Sequence, residues 1–520
     1  MATQLKFEVS APIAIPGERP TLYAERLALW YASHSAEAHR KGLGIYFTPS
    51  TIAQYMGALC RNGTSHFVRI LDPSSGTGIL ACAACEMLSE SASPPKHIEL
   101  VCYEFDQSLA VLLERALQNL QRWLAVHRRI RLRFRIRPVD FVIANADALK
   151  LAKSEATSFD AVICNPPYFK IPKSDPRAQA CSSVVHGQPK MYGLFMAVGA
   201  AMLREGGRFV FITPRSFASG PYFKRFREYF FARIRPTDIH VFESRAEAFA
   251  NVLQETVITA GSRATGWNFL GAQKRIRLTT SAGANDIEAP ITRTLPLSDV
   301  LRVDCGQRLL SFPSSKEHDR VRKLVDRWEG TLHRYGWEIS TGPVVAFRAA
   351  SHLRDKPVRN SIPLLWLQNV KSMSLTWPAK TRKPQHIVSC DETSVLVLPN
   401  RNYVILRRFS AKEDKRRITA APHIGRSIKT EEIGLENHLN FIHKPGSELS
   451  PDEAFGLAAL LNSELMDRYF RIASGNTQVS ATEMRGIRLP SLALVRRIGA
   501  RVRADEDIDS AVNKETGYGA

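Results

Sequence analysis

The run Phe159-Asp160-Ala161-Val162-Ile163-Cys164, followed by Asn165-Pro166-Pro167-Tyr168, constrains this chain more than any other stretch. The apolar run reads as a fully buried strand of the kind that sits inside a parallel sheet. Two consecutive prolines donate no ladder hydrogen bonds, so the strand must end and its tip becomes a rigid, water-facing turn. The residue before each proline is held extended. Asn165 therefore presents a carboxamide at the mouth of a sheet, with the Tyr168 ring just behind it. An amide oxygen, a proline carbonyl and an aromatic face together suit a planar group that bears an exocyclic NH2. Taken alone, the tetrapeptide reads equally well as a Pro-rich loop capping a strand, and its neighbours decide between the two.

Upstream, the apolar stretch 67–71 runs into Asp72-Pro73-Ser74-Ser75-Gly76-Thr77-Gly78, and residues 79–88 read as a helix. Gly76 and Gly78 let a ligand lie against bare backbone, and the helix N-terminus offers unpaired N–H groups. The pattern is neither GxGxxG nor a phosphate loop, since no Gly-Lys-Ser/Thr follows. Asp72 would repel a pyrophosphate and favours an amino-bearing or cationic ligand, so S-adenosylmethionine fits where NAD does not. The next strand, 97–103, ends in Glu104, placed to accept from ribose hydroxyls. Residues 142–144 read as a third strand with Asp147 at its tip, able to accept from an adenine amino group. Ahead of these lies a glycine-loosened turn, 42–49, with Thr48 as a helix N-cap and Pro49 at the first helical position. Acids on successive strand tips followed by Asn-Pro-Pro-Tyr form one coherent constellation.

A chain of 520 residues is too long for a single core. Strands alternate with helices to about residue 260 and close on a hairpin-like pair, which predicts an α/β, doubly wound, Rossmann-like sheet with an antiparallel last strand. Arginines at 129, 131, 133, 135 and 137 alternate with apolar residues, the pattern of a half-buried edge strand or of a face that tracks phosphates. Residues 281–296 read as a linker. The expected division is an N-terminal helical segment (1–40), a catalytic domain (41–290), a mixed α+β domain (291–495) and a frayed tail (496–520). Lys and Arg total 71 against 50 Asp and Glu, a net charge of +21 that points to a polyanionic partner such as nucleic acid. The first residues lack the basic and apolar segments of a signal peptide, and no stretch is long enough to span a membrane. Eight scattered cysteines suit a reducing cytoplasm. Cys82 and Cys85 form a CxxC in an alanine-rich helix without a second ligand pair, and read as core residues; no metal is called for.

The order of the FTP turn, DPSSGTG, the acidic strand tips, NPPY and a basic C-terminal region resembles the gamma-class DNA adenine-N6 methyltransferases of type II restriction–modification systems. The segments 211–216, 253–256, 408–417 and 475–479 are similar to the PstI/BsuBI methylase group. The resemblance implies S-adenosylmethionine as cofactor, with Thr48, Asp72, Gly76, Gly78, Glu104 and Asp147 around it. It implies catalysis by Asn165, Pro166 and Tyr168, with Tyr168 and Phe249 stacking on a flipped adenine. It makes the second domain a target-recognition domain, in which Arg348, Gln368, Asn369, Arg407, Arg408, Lys412, Lys415, Arg416 and Arg417 are the candidate contacts to double-stranded DNA. The implied target is a palindrome such as CTGCAG, methylated by a monomer that works beside a separate restriction endonuclease. An N4-cytosine or RNA amino-methyltransferase, and an inactive DNA-binding module, are the rival readings.

Overall fold

The computed structural model describes residues 11–61, 63, 65–150, 159–243, 256–267, 274–304, 307–409, 416–473, 479 and 481–519. The chain forms two compact units, Met1–Ser314 and Ser315–Ala520.

The first unit is built on a nine-stranded sheet, in the order β3-β2-β1-β4-β5-β7-β6-β8-β9. Its strands are β1 (Phe67–Asp72), β2 (His97–Tyr103), β3 (Arg131–Arg137), β4 (Phe159–Cys164), β5 (Leu203–Pro214), β6 (Ile234–Phe242), β7 (Thr256–Arg263), β8 (Arg275–Ser281) and β9 (Ile291–Pro296). Strands β1 to β5 pair in parallel, and β7 inserts antiparallel between β5 and β6. The expected doubly wound sheet is thus present. Helices Pro20–His34, Ser50–Leu59, Ile79–Ser89 and Gln107–Arg128 pack against one another in one group, and Met191–Met202 with Lys224–Phe231 in another. Cys82, Cys85 and Cys164 are fully buried in this core, as expected for small apolar residues rather than ligands. Strand β3 is an edge: Leu132 is buried, while Arg131, Arg133, Arg135 and Arg137 stay exposed and keep the edge from pairing further.

Three expectations about the elements of the first unit need correction. Residues 141–145 are a short helix, Phe141–Asn145, capped by Asp140, and not a strand; three apolar residues do not fix a period. The stretch 281–296 is not a linker, since it holds the end of β8 and all of β9, β8 pairs with β6 and β9 with β8, and the first unit runs to Ser314. Strand β9 is an exposed edge with one buried position, Leu295, which is why its sequence looks like a loop. The helix after Pro49 begins at Ser50, whose N–H donates to Glu25 Oε1 (2.7 Å), so the Thr48 hydroxyl is not a cap.

The second unit holds a four-stranded sheet (Glu338–Thr341, Leu439–His443, Tyr403–Arg407, Ala420–His423) and a five-stranded sheet that includes Ser361–Leu365 and Glu432–Leu435. Its helices include Pro451–Asn462, which opens on a Ser450/Glu453 capping box. Residues 496–520 are not a frayed tail. Helix Leu492–Arg503 packs along Pro451–Asn462, and Ile508–Thr516 follows it. The two backbones touch at glycines: a Cβ on Gly456 would lie 1.9 Å from the Val495 carbonyl oxygen, and one on Gly499 1.9 Å from that of Asp452. Gly499→Ala should therefore force the helices apart and destabilise this unit by at least about 1–3 kcal/mol. A fall in the urea midpoint of its unfolding transition checks this, and an unchanged midpoint refutes the contact. Among the described residues no helix is long and apolar enough to cross a membrane.

Candidate active site

Strand order decides where a ligand can sit. The chain fills β1, β2 and β3 outward in one direction, then returns to place β4 on the other side of β1. Loops leaving the carboxyl ends of β1 and β4 diverge, and a crevice opens between them. Residues 44–48, 73–77 and 103–106, together with Asp140, Asn165 and Pro167, line a cleft there.

The β1 turn is shaped by its glycines. Gly76 and Gly78 adopt φ of +56° and +88°, and a Cβ on Gly78 would meet Leu113 at 2.9 Å. The Gly76 N–H donates to Glu104 Oε2 (2.8 Å), and the Asp106 N–H donates to Glu104 Oε1 (2.8 Å). Burial pushes the Glu104 carboxyl up to about 7 despite these backbone donors. Asp72 is fully buried, and burial pushes its carboxyl up to about 7 as well. Its Oδ1 accepts the Ser74 N–H (3.3 Å), while its Oδ2 has no hydrogen-bond partner among the described residues.

Asp147 does not join this group. It lies in the 3-10 turn Ala146–Leu149, is exposed, and pairs with Lys150 (3.1 Å). Asp140 lines the cleft in its place, just beyond β3, with Oδ1 accepting the Ile143 N–H (2.9 Å). An Asp directly ahead of an apolar run is a helix-cap signal that the sequence already carried.

The Asn165 amide is held at both ends. Its Nδ2 donates to the Tyr46 carbonyl (3.0 Å) and to Thr48 Oγ1 (3.0 Å), and its Oδ1 accepts from the Tyr168 hydroxyl (2.6 Å). The same hydroxyl lies 3.3 Å from the Ile212 carbonyl. Thr48 and Pro166 are buried, and so is the Tyr168 ring. Tyr46 lies nearly parallel to that ring with centroids 6.0 Å apart, and Tyr192 meets its edge at 6.2 Å. Phe249, the other expected stacking ring, lies outside the described residues. Of the expected residues, Thr48, Gly76, Glu104 and Asn165 line the cleft, while Asp72, Gly78, Pro166 and Tyr168 are buried.

Comparison with known proteins gives this rim a setting. Residues 112–249 match the family described as Eco57I restriction-modification methylase. The type II methyltransferase M.BsuBI of Bacillus subtilis is 30% identical over 466 residues, covering 89% of this chain and 90% of that protein. M.PstI of Providencia stuartii is 30% identical over 488 residues, covering 92% and 94%. The chain belongs to the type II methyltransferases of restriction–modification systems. Among solved structures, the type IIL restriction-modification enzyme MmeI in complex with DNA matches with a TM-score of 0.51 at 10% identity, covering 100% of this chain and 76% of that one. The DrdV–DNA complex matches at 0.51 and 14% identity, covering 95% and 60%. Both show the same fold.

The cofactor of this methyltransferase is S-adenosylmethionine. The residues fit it: the unpaired Asp72 oxygen suits a cationic amino acid moiety nearby, and Glu104 is an acceptor suited to hydroxyls.

The second unit's candidate contacts to DNA divide sharply. Arg348 and Gln368 are exposed, and Arg348 stacks on the exposed Phe347 ring at 5.5 Å. Asn369 is buried, with Oδ1 accepting the Trp366 N–H (2.7 Å) and Nδ2 donating to the Thr376 carbonyl (2.7 Å), so it fastens a turn. Arg417 is likewise buried, and its N–H donates to Asp467 (2.6 Å). Arg407 donates to the Val370 carbonyl (2.7 Å) and Arg408 to that of Asn437 (3.1 Å). Arg416 bonds the Asn462 carbonyl and pairs with Asp509. Lys412 and Lys415 lie outside the described residues.

Proposed function

We propose that this methyltransferase transfers the methyl group to the N6 amino group of an adenine rotated out of duplex DNA. The observation that carries this reading is the amide of Asn165, clamped at both ends on the rim of the crevice. An adenine N6 is buried within the double helix, so the nucleotide must leave the stack at a cost of a few kcal/mol. Its lone pair is delocalised into the ring and attacks poorly. Asn165 Oδ1 keeps a free lone pair beside the Tyr168 hydroxyl, and with the Pro166 carbonyl it accepts the two N6 hydrogens. Accepting both draws the nitrogen toward a tetrahedral form and localises its lone pair. The bound cofactor supplies an electrophilic sulfonium methyl. Positioning and electrostatics carry the reaction, and no covalent intermediate is required.

In this reading Glu104 accepts from the ribose, Asp72 faces the ammonium, Asp140 takes the place expected of Asp147, and Gly76 and Gly78 keep the turn low. Tyr168 serves first as the group that orients Asn165, and its ring stacks on the base once Tyr46 moves aside, with Phe249 as its partner. Ser315–Ala520 acts as the target-recognition unit, with Arg348 and Gln368 the most accessible contacts. By similarity to the PstI/BsuBI group the target is CTGCAG, and the modification protects that site from a cognate endonuclease.

Tritium-labelled cofactor offered with duplex DNA, RNA and protein in parallel tests the substrate. Label should enter duplex DNA and elute as N6-methyladenine after digestion to nucleosides. Label in N4-methylcytosine, in RNA or in protein overturns the reading.

A further inference from the structure

A second polar cluster lies behind Tyr168, joined to it through the Tyr192 ring, and the constellation of Asn165, Asp72 and Glu104 does not use it. Residues leaving Asn165 pair briefly with those entering helix Met191–Met202. Lys170 bridges Lys190 in antiparallel fashion, the Ile171 N–H donates to the Pro189 carbonyl (3.1 Å), and the Met191 N–H donates to that of Phe169 (3.0 Å). This pairing fixes Lys190 at the N-cap of the helix. Its ammonium donates to Ser216 Oγ (2.8 Å), and the same oxygen is hydrogen-bonded to the Tyr192 hydroxyl. Nζ lies 5.8 Å from the Tyr192 ring centroid and 6.0 Å from that of Phe223. Tyr192 is the ring whose edge meets Tyr168. One aromatic ring therefore separates Lys190 from the tyrosine that orients Asn165.

Apart from the two ring faces and the Ser216 hydroxyl, the surroundings oppose a cation at Lys190. Burial is the largest effect, Lys170 adds like charge, and together they push the ammonium down to about 8. A helix N-terminus disfavours a positive group as well. No carboxylate among the described residues pairs with it. Ammonium, serine hydroxyl and phenol share two internal hydrogen bonds; Ser216 and Tyr192 are buried, and the half-buried ammonium keeps two N–H groups for an acceptor from outside. A compact ammonium with hydroxyls beside it suits an anionic oxygen, and in DNA lysines of this kind bind phosphates and set position rather than sequence.

We propose that Lys190 contacts a backbone phosphate flanking the extruded nucleotide and so holds that nucleotide against the Asn165–Tyr168 turn. The proposal rests on the reading of duplex DNA as substrate. Lys190 is a positioning residue, acting on the phosphate and not on the reacting atoms.

The test is a chemical double-mutant cycle. Duplexes carrying the methylated sequence are made with a neutral methylphosphonate at each phosphate flanking the target, or at a remote phosphate as control. For the wild-type enzyme one flanking methylphosphonate should lower kcat/KM roughly 10- to 100-fold, the scale of a hydrogen bond to a charged group, and the remote one should not. Lys190→Met, which keeps the stem over Tyr192 and Phe223, should show the same loss on unmodified DNA and no further loss on the flanking methylphosphonate. Lys190→Arg should recover part of the rate and stay sensitive to the methylphosphonate. Multiplying losses, or a wild type indifferent to both flanking substitutions, overturns the proposal while methylation of the unmodified duplex still upholds the DNA reading. If Lys190→Met gives no turnover, wild type and Lys190→Arg decide alone: sensitivity at one flanking phosphate in both supports the contact, and indifference in both removes it. Failure of the wild type on every unmodified duplex removes the DNA reading itself, and this proposal with it.

Discussion

Asn165→Ala is expected to slow methyl transfer by about 10²- to 10³-fold or more, the scale seen when one preorganised polar partner of a transition state is removed. Cofactor affinity should change by no more than a few-fold, because the Glu104 and Gly76 contacts remain. The loss has two sources. The substitution deletes the acceptor for N6, and it leaves Thr48 Oγ1 and the Tyr168 hydroxyl without the amide that joins them. Asn165→Asp separates the two. Aspartate restores an acceptor but cannot donate to the Tyr46 carbonyl or to Thr48, so it should remain far below wild type if the clamp matters. Single-turnover transfer rates beside calorimetric cofactor affinities decide the matter. A variant that transfers at the wild-type rate, or that loses cofactor binding in proportion to activity, removes Asn165 from the role given to it.

Much of this site is legible in the sequence because prolines and glycines declare backbone shape. Pro166 and Pro167 end β4 at a foreseeable point, and Gly76 and Gly78 mark a turn whose positive φ values the structure shows. Period-two and long apolar runs likewise announce β1, β2 and β4. Legibility fails where a residue's surroundings come from distant chain. Nothing local reveals that the Thr48 hydroxyl, placed by sequence as a helix cap, holds Asn165 instead, a contact across 117 residues. Nor does anything mark Lys190, whose setting comes from a bridge to Lys170 and a bond to Ser216. Asp147 is expected at a strand tip because Val142-Ile143-Ala144 is apolar in helix and strand alike, and only the Asp140 cap marks the run as a helix. In the second unit, arginine and asparagine serve the fold as readily as they read bases: the Asn369 amide fastens a turn, and Arg417 is buried. Gly456 and Gly499 show the same limit for packing, since their meeting turns two distant glycines into a helix contact.

The Glu104 carboxyl supplies the other large effect, one of pH. Burial holds it near 7 in the cofactor-free protein, far above the ordinary value of about 4.3. Its folded-state pKa is raised, so its contribution to stability is fully present below about pH 4 and is lost as pH climbs through 7. Asp72, also raised to about 7 by burial, acts in the same direction. Ribose hydroxyls and an ammonium are donors, and they bind the ionised carboxylates better than the protonated ones. Cofactor affinity should therefore strengthen from pH 6 to pH 8, by up to about tenfold per pH unit for each proton released, and level off above it. Stability of the cofactor-free enzyme should move the opposite way over the same interval. Glu104→Gln keeps one amide-oxygen acceptor but turns an NH2 toward the second backbone N–H, at Gly76 or at Asp106. It should weaken cofactor binding roughly 10- to 100-fold, as loss of hydrogen bonds to a charged acceptor does, and should leave only the share of the pH dependence that Asp72 carries. Calorimetry in buffers of different ionisation enthalpy counts the protons released on binding. A proton count that Glu104→Gln leaves unchanged would show that this carboxyl does not meet the cofactor.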